Sequence, residues 1–487
     1  HAYARELLST KEENEMLARG ETLSAPHVIR AGTISCAESK NVYGFARAYF
    51  REVLHQSDEQ QNKALVTYIA SRATGVKRTT GQHPGGIVVI PADMDIFDFT
   101  PFQHPADDLN ADWLTTHYEF ASMHDCLLKL DLLGHVDPMA LRMMAIRTNV
   151  NITDIPVNDP KVLSLFSTPE ALGLKTNPLG FETGAIALPE FGTNFVQGLI
   201  TEVRPKKFND LLIVSGLSHG TDVWNNNAQD YFKNKIATLD QVIGCRDDIM
   251  TYLISMGVDS SRAFKFMEYV RKNKGGKPLK EDDVTALRAA NVPEWYIDSC
   301  RKIKYLFPRA HATAYVIGSC RVGWFKIYKP LVFYAVYFSA RIDKFNIKVM
   351  SGGLDAIVAE INRLNSIRNT PDFKDTDNEI LKGLIAAAEL WDRGFRISNI
   401  DLNKSMASEW VVDDENSAII PPFSVLSGLG ESAAQSVVNE RKNGEFISIE
   451  DLRDRTKLTE TDINNLKELG VLEGMSESNQ LSLFDFF

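Results

Sequence analysis

Metal-ligand spacing is missing from this 487-residue chain. Its five cysteines, Cys36, Cys126, Cys245, Cys300 and Cys320, are scattered, odd in number and never in C-x-x-C spacing. That gives no zinc signature and fits a reducing compartment. The ten histidines form no H-x-H or H-E-x-x-H pair, so histidine-based hydrolase sites have no support. No run is long and apolar enough to span a bilayer. The opening His1-Ala2-Tyr3-Ala4-Arg5 has neither an initiator Met nor a signal peptide, so the chain reads as cytoplasmic and shortened at its N-terminus. An excess of positive charge is lacking too: 53 Lys and Arg stand against 64 Asp and Glu, for a net charge of −11. That excludes a protein basic all over and leaves room for local basic stripes that bind nucleic acid.

What is present is an ordinary globular composition, 44% apolar and 24% charged, at a length that predicts roughly three domains. Residues 1 to about 85 carry helical patterns, with the charged Lys11–Glu21 segment as an exposed insertion. Strand signals follow at Ile87–Ile90, Trp113–Tyr118 and Leu127–Leu133. From about 137 to 345 the pattern is mostly helical, punctuated by prolines. Helices are expected near 354–364 and 381–391, short strands within 402–420, and two short helical hairpins from Pro421 onward. The tail from Met475 reads as flexible.

Several segments carry chemistry. The stretch Thr74–Gly86 holds Lys77 and Arg78, hydroxyls and glycines. It fits a phosphate cradle, and equally a surface turn before a strand. Leu127–Gly134 places one acid, Asp131, in an apolar run that reads as a buried strand or its end. A carboxylate there is costly unless paired, hydrogen-bonded or metal-bound. By itself Asp131 fits a strand-end cap or an ion-pair partner; behind phosphate-binding residues it fits metal-assisted phosphoryl chemistry.

Ser215–Trp224 joins small residues, which let a ligand approach the backbone, to polar Ser218, His219, Thr221 and Asp222 and a flat Trp224. Without a G-x-S-x-G elbow it gives little support to a hydrolase triad. Arg246 follows, then Lys265, Arg271, Lys272, Lys274 and Lys277 on a helix and the loop after it. In Lys302–Tyr315, Phe307, His311 and Tyr315 fall at i, i+4 and i+8, with Lys304 one turn earlier. Aromatics beside cations suit a nucleoside triphosphate, and equally a core face beside a solvated one. Leu426–Val438 matches a helix-hairpin-helix turn, in which Gly428, Leu429 and Gly430 approach a DNA phosphate; it also fits a plain helical hairpin. Residues 446–452 and 458–472 supply a second such unit. Gln480, Leu481, Leu483 and Phe484 form a peptide able to anchor in an apolar groove.

Together these segments resemble the C-family replicative DNA polymerases, and more closely the PolC-type DNA polymerase III alpha subunits of low-GC Gram-positive bacteria. The resemblance is carried by Thr74–Gly86, Leu127–His135, Pro189–Phe195, Ser215–Trp224, Val242–Met250, Val292–Cys300, Phe307–Tyr315 and Gln480–Phe484, in order along essentially the whole chain. It implies an α+β multidomain fold, mostly helical: a partial nucleotidyltransferase-type palm, helical thumb and fingers, and a tandem helix-hairpin-helix domain. The implied divisions are thumb 1–85, closing part of the palm 86–136, fingers 137–345, duplex-DNA-binding domain 346–475 and a clamp-binding tail 476–487.

The implied activity is that of a DNA-directed DNA polymerase, a nucleotidyltransferase using two Mg²⁺ ions. Asp131 matches the third of the family's three metal-binding acids. Lys77 and Arg78, Ser218 and His219, the cations Arg246, Lys265, Arg271, Lys274 and Arg309, and the rings Phe307, His311 and Tyr315 are the implied nucleotide contacts. Gly428, Leu429 and Gly430 would touch DNA, and Gln480, Leu481, Leu483 and Phe484 a sliding clamp. The implied partners are primer-template DNA, deoxynucleoside triphosphates, the clamp, and clamp-loader and other replisome subunits, at the bacterial nucleoid and away from membrane. The family's other two acids belong to an Asp-x-Asp motif shortly before the thumb; Asp93 and Asp95 lie downstream of it and do not match. The expectation is therefore the C-terminal part of a polymerase, inactive alone. The alternative is a non-catalytic DNA-binding and clamp-tethering module.

Overall fold

The structure is a computed structural model that describes residues 15–16, 18–19, 28–36, 39–132, 134–273 and 278–479. They fall in two units, His1–His135 and Val136–Phe487. Lys274, Lys277, most of the charged 11–21 segment and Gln480–Phe484 lie outside the described residues.

In the first unit, β1 (Val28–Cys36), β2 (Lys77–Val89), β3 (Phe102–Gln103), β4 (Thr115–Glu119) and β5 (Leu128–Asp131) make one sheet in the order β3-β4-β1-β2-β5. β1 runs antiparallel to β2 and parallel to β4. Strand alternation turns Ile29 and Ala31 of β1 and Val88 of β2 to one face, where they meet Ile96, Met123 and Leu127. Between β1 and β2 the chain leaves the sheet as two helices, Ser39–Glu52 and Lys63–Ala73, with their own core of Val42, Ala46, Phe50, Val66 and Ala70. Asn62 starts the second helix by accepting from the Ala64 and Leu65 N–H groups.

Three expectations change here. Residues 1–85 are not helical throughout: they contain β1 and most of β2, because β-branched Val28, Ile29 and Thr33 and the threonines at 79 and 80 suit a paired ladder. Thr74–Gly86 is accordingly strand from Lys77 onward, not a loop. Its Gly85 and Gly86 N–H groups donate to the His83 ring nitrogen Nδ1 at 3.2 and 2.7 Å, the place foreseen for a phosphate oxygen. Finally, the described part of the Leu127–Leu133 run, up to Leu132, is not a buried strand. Among the described residues β5 pairs only with β2, at the edge of the sheet, with Gly86 opposite Asp131. Leu127 is buried, but Leu128 is 63% exposed and Asp131 is exposed as well.

The second unit is mostly helical, with a small sheet of β6 (Arg396–Ile397), β7 (Val411–Asp413) and β8 (Ala418–Ile420) in the order β6-β8-β7. Its hydrophobic core runs without a break from Ala140 to Leu472. The division expected at 345/346 leaves that core whole: Phe338 and Phe345 both pack on Trp410, with ring centres 5.0 and 5.4 Å away. The helices expected near 354–364 and 381–391 are Leu354–Ile367 and Asp375–Asp392.

At the centre lies a fully buried charge pair. Lys326, on the helix Arg309–Tyr328, meets Glu389 of Asp375–Asp392 at 2.7 Å, both side chains 0% exposed. Its ammonium also donates to the Gly184 and Ile186 carbonyls at 2.8 and 2.5 Å. Tyr334 donates to Glu389 at 2.6 Å, and Arg393 to the Lys326 carbonyl at 3.0 Å. Burial pushes the Lys326 pKa down to about 8, with Glu389 pulling the other way. Next to this pair, Asp392 accepts from the N–H groups of Thr176 and Asn177 at 2.9 and 2.8 Å.

Lys326→Met leaves Glu389 buried without a counter-charge and should lower the unfolding free energy by about 3–5 kcal/mol. Adding Glu389→Gln removes that charge and should recover most of the loss. Urea denaturation of wild type, single and double variants checks this; a double variant no more stable than the single one contradicts it.

Candidate nucleotide and nucleic-acid sites

Ser215–Leu217, Val223 and Trp224 face inward. Ser215, Gly216 and Leu217 are the buried end of the helix Phe208–His219. A methyl at Gly216 would strike the Gly244 carbonyl and lie 2.7 Å from Cys245 Sγ. One at Gly220 would lie 2.9 Å from the Tyr305 carbonyl. These glycines let the helix end meet two other segments, rather than admit a ligand. Trp224 is 3% exposed, so the flat face expected for a ligand is in the core, beside Phe232. An indole buries more apolar area there than any surface contact offers.

His219, Thr221 and Asp222 are exposed, and the His219 side chain is 32% exposed. Its Nε2 lies 2.7 Å from Glu190 Oε2, and its Nδ1 lies 2.8 Å from the Ser215 carbonyl and 2.9 Å from Ser218 Oγ. A carbonyl and a carboxylate both accept, so this geometry favours a proton on each ring nitrogen. The Glu190 hydrogen bond raises the His219 pKa above its usual value, burial opposes it, and the Ser215 carbonyl adds to the rise.

The His219 ring stacks on Phe307 with centres 4.9 Å apart and planes 27° apart. Phe307 then meets His311 edge-on at 5.1 Å, and His311 meets Tyr315 at 4.6 Å. The i, i+4, i+8 face is therefore a ladder of rings, although Phe307 precedes the helix that begins at Arg309. Two short bridges fix it: Thr221 N–H to the Tyr305 carbonyl and Arg246 N–H to the Phe307 carbonyl, each at 3.0 Å. Lys304 pairs with Asp222 at 2.6 Å, in the loop rather than a turn earlier on a helix.

The candidate cations differ in their surroundings. Arg309 donates to Asp248 and to Asn209, each at 2.6 Å, and its N–H donates to Asp247 at 2.8 Å. Arg271 pairs with Glu268 through Nη2 at 2.7 Å, and that contact lowers the Glu268 pKa. Arg246 Nε is 3.8 Å from Asp247. Lys265 is exposed on Ser260–Arg271. Lys77 and Arg78 open β2. A cleft of about 330 Å³ is lined by Arg309, Asn209, Asp240, Tyr252 and Tyr296 among others.

At the helix-hairpin-helix turn, Gly428 has φ +88° and Gly430 caps the helix Glu431–Glu440. Leu429 N–H donates to Leu426, while the N–H groups of Gly428 and Gly430 have no acceptor among the described residues. Thr459 caps the later helix Glu460–Glu468, and Lys457 Nζ donates to Ser432 Oγ at 3.0 Å, tying the two hairpins together.

Asp131 offers one hard oxygen ligand, suited to Mg²⁺. Its register partner is Gly86, and no ligand cluster of three His, Cys, Asp or Glu among the described residues includes it. One carboxylate fits a single ligand position and does not fill a two-ion set. Among the described residues, no helix is long and apolar enough to cross a membrane.

Sequence reasoning missed Glu190, Asn209 and Asp248. Asp248 left a signal, since it sits at N3 of a capping box at Arg246–Ser255. Glu190 lies in Pro189–Phe195, a segment that carries the resemblance, but no local pattern pairs it with His219, 29 residues away.

Three family models match the chain. The bacterial DNA polymerase III alpha NTPase domain covers residues 29–134, the bacterial DNA polymerase III alpha subunit finger domain 137–291, and a helix-hairpin-helix motif 394–481. The chain is thus of the bacterial DNA polymerase III alpha class. Among curated relatives, the "DNA polymerase III PolC-type" of Caldanaerobacter subterraneus is 46% identical over 95% of this chain and 32% of its own length. The protein of the same name from Oceanobacillus iheyensis gives the same figures, and that of Streptococcus pyogenes serotype M3 is 46% identical over 96% of this chain and 32% of its own. The chain belongs to the PolC-type DNA polymerase III family, a family of DNA-directed DNA polymerases, and spans roughly a third of the length of the curated relatives it matches.

Gly216→Ala should cost about 1–3 kcal/mol through overpacking against Gly244, read as a fall in the urea midpoint. The His219 contact has a defined pH dependence. Its folded pKa lies above the unfolded value of about 6.5, so its stabilisation is complete below that pH and is lost as pH rises through the folded value. The stability gap between wild type and His219→Asn should shrink from about pH 6 to about pH 9; a gap that widens contradicts this assignment.

Proposed function

We propose that this chain is the nucleotide- and duplex-binding part of a replicative DNA polymerase. In this reading the helices Ser39–Glu52 and Lys63–Ala73 are the thumb, inserted into the palm sheet. Residues 137–345 are the fingers and 346–475 the duplex-binding domain. The observation that carries the reading is the ring ladder His219–Phe307–His311–Tyr315, bordered by Arg246 and Arg309. Rings offer stacking to a base, and guanidinium groups offer forked donors to phosphates. Ser218 and Lys265 would add contacts, and Lys77, Arg78, Arg271 and Lys274 further cations.

Asp131 would be a metal ligand at the tip of β5. Two Mg²⁺ ions, when bound, would supply charge neutralisation on the triphosphate and a more acidic primer 3′-OH. Because the described residues give one such carboxylate, the chain alone is proposed to bind without extending a primer. The Gly428–Gly430 turn would hold a DNA phosphate on its open N–H groups, without base readout. Gln480, Leu481, Leu483 and Phe484 would tether the chain to a sliding clamp, with clamp-loader and other replisome subunits as further partners.

Primer extension by the purified chain tests the catalytic half: no template-dependent product is expected, and product overturns the single-carboxylate argument. Duplex binding tests the other half. Wild type should bind more weakly as salt rises. Gly430 has φ −74° and open space around it, so Gly430→Ala keeps the fold. Its methyl stands in the path of a phosphate, and duplex affinity should fall by about fivefold. Unchanged affinity overturns the role of the turn.

A further inference from the structure

Residues 184–191 form a shelf whose carbonyls are gripped by side chains from other segments. Lys326 takes those of Gly184 and Ile186, Ser319 Oγ donates to Pro189 at 2.9 Å, and Gln197 Nε2 donates to Phe191 at 2.6 Å. Within the shelf, Ala187 and Glu190 have φ of +61° and +65°. Residues with a Cβ hold that conformation only where their surroundings impose it. Glu190 is thus set in place by its backbone, and its carboxylate ends 2.7 Å from His219 Nε2 with 16% of the side chain exposed.

The contact reaches further than one ion pair. His219 closes the last turn of its helix, where a cation is favoured by the helix dipole. Its ring stacks on Phe307, which in the protonated state is a cation–π arrangement. Phe307 in turn holds the Arg246 N–H through its carbonyl and stands two residues before Arg309. Turning the His219 ring would remove the support of Phe307 and loosen the segment between the two cations.

We infer that Glu190 is a positioning residue of the nucleotide site: it holds the His219 ring against Phe307 and so fixes the aromatic face on which the base of a deoxynucleoside triphosphate stacks. This rests on the nucleotide-binding reading of that ladder.

Glu190→Gln keeps the shape of the side chain and removes its charge. The full chain, with a primer-template duplex and Mg²⁺, is titrated with 2-aminopurine deoxynucleoside triphosphate opposite a templating thymine. The variant should bind the nucleotide about tenfold more weakly, with duplex affinity unchanged. The ¹⁵N signals of the His219 ring at neutral pH should move from the imidazolium pattern towards a neutral tautomer. His219→Gln should weaken nucleotide binding by a similar factor, and the double variant by no more than either single one. Nucleotide affinity within about twofold of wild type, additive single effects, unchanged His219 signals or a parallel loss of duplex affinity each overturn the proposal. Wild type that binds duplex but no nucleotide overturns the reading of the site itself, and is seen before any variant is made.

Discussion

The second unit depends on one buried ion pair, Lys326 with Glu389. Two charges without solvent are retained only when every donor and acceptor is engaged. Here the ammonium spends its remaining hydrogens on the Gly184 and Ile186 carbonyls, and the carboxylate takes a further hydrogen from Tyr334. The pair therefore joins the helices Arg309–Tyr328, Pro330–Arg341 and Asp375–Asp392 to an irregular shelf that has no ladder of its own. An apolar pair could fill the volume, but it could not specify where those two carbonyls sit. The position of Glu190, and through it His219 and Phe307, follows from that specification.

Away from the core, the chain orders its basic residues with acids. Arg309 lies between Asp248 and Asn209, Arg271 against Glu268, and Lys304 against Asp222. A net charge of −11 is compatible with an anionic ligand on these terms. The acids hold the guanidinium groups in fixed poses without occupying all five donors of an arginine, so side-chain entropy is lost before a phosphate arrives.

Much of this was legible in the sequence. Regular spacing marked the ring ladder, the long helices near 354 and 381 and the hairpins after Pro421, because local periodicity reflects one buried face. Misreadings arose where burial depends on distant partners. Leu127–Leu133 has the composition of an internal strand, yet no second neighbour covers it among the described residues, and an edge strand is the outcome. The small residues of Ser215–Trp224 are equally suited to a ligand or to the Gly244 backbone, and only the fold decides between them. Lys326 and Glu389 are 63 residues apart, and no periodicity links two charges across that gap.

The helical hairpin Ser39–Ala73 leaves and re-enters the sheet between paired strands. Cys36, at the end of β1, is the register partner of Lys77, at the start of β2, so the two attachment points lie about 5 Å apart. The sheet thus closes the loop that the hairpin fills, and the cost of that closure grows only slowly with the hairpin's length. Helices at this position are free to lengthen, shorten or change their surface chemistry while every strand below keeps its register. The sheet can stay constant as a chemical scaffold while the projecting arm diversifies.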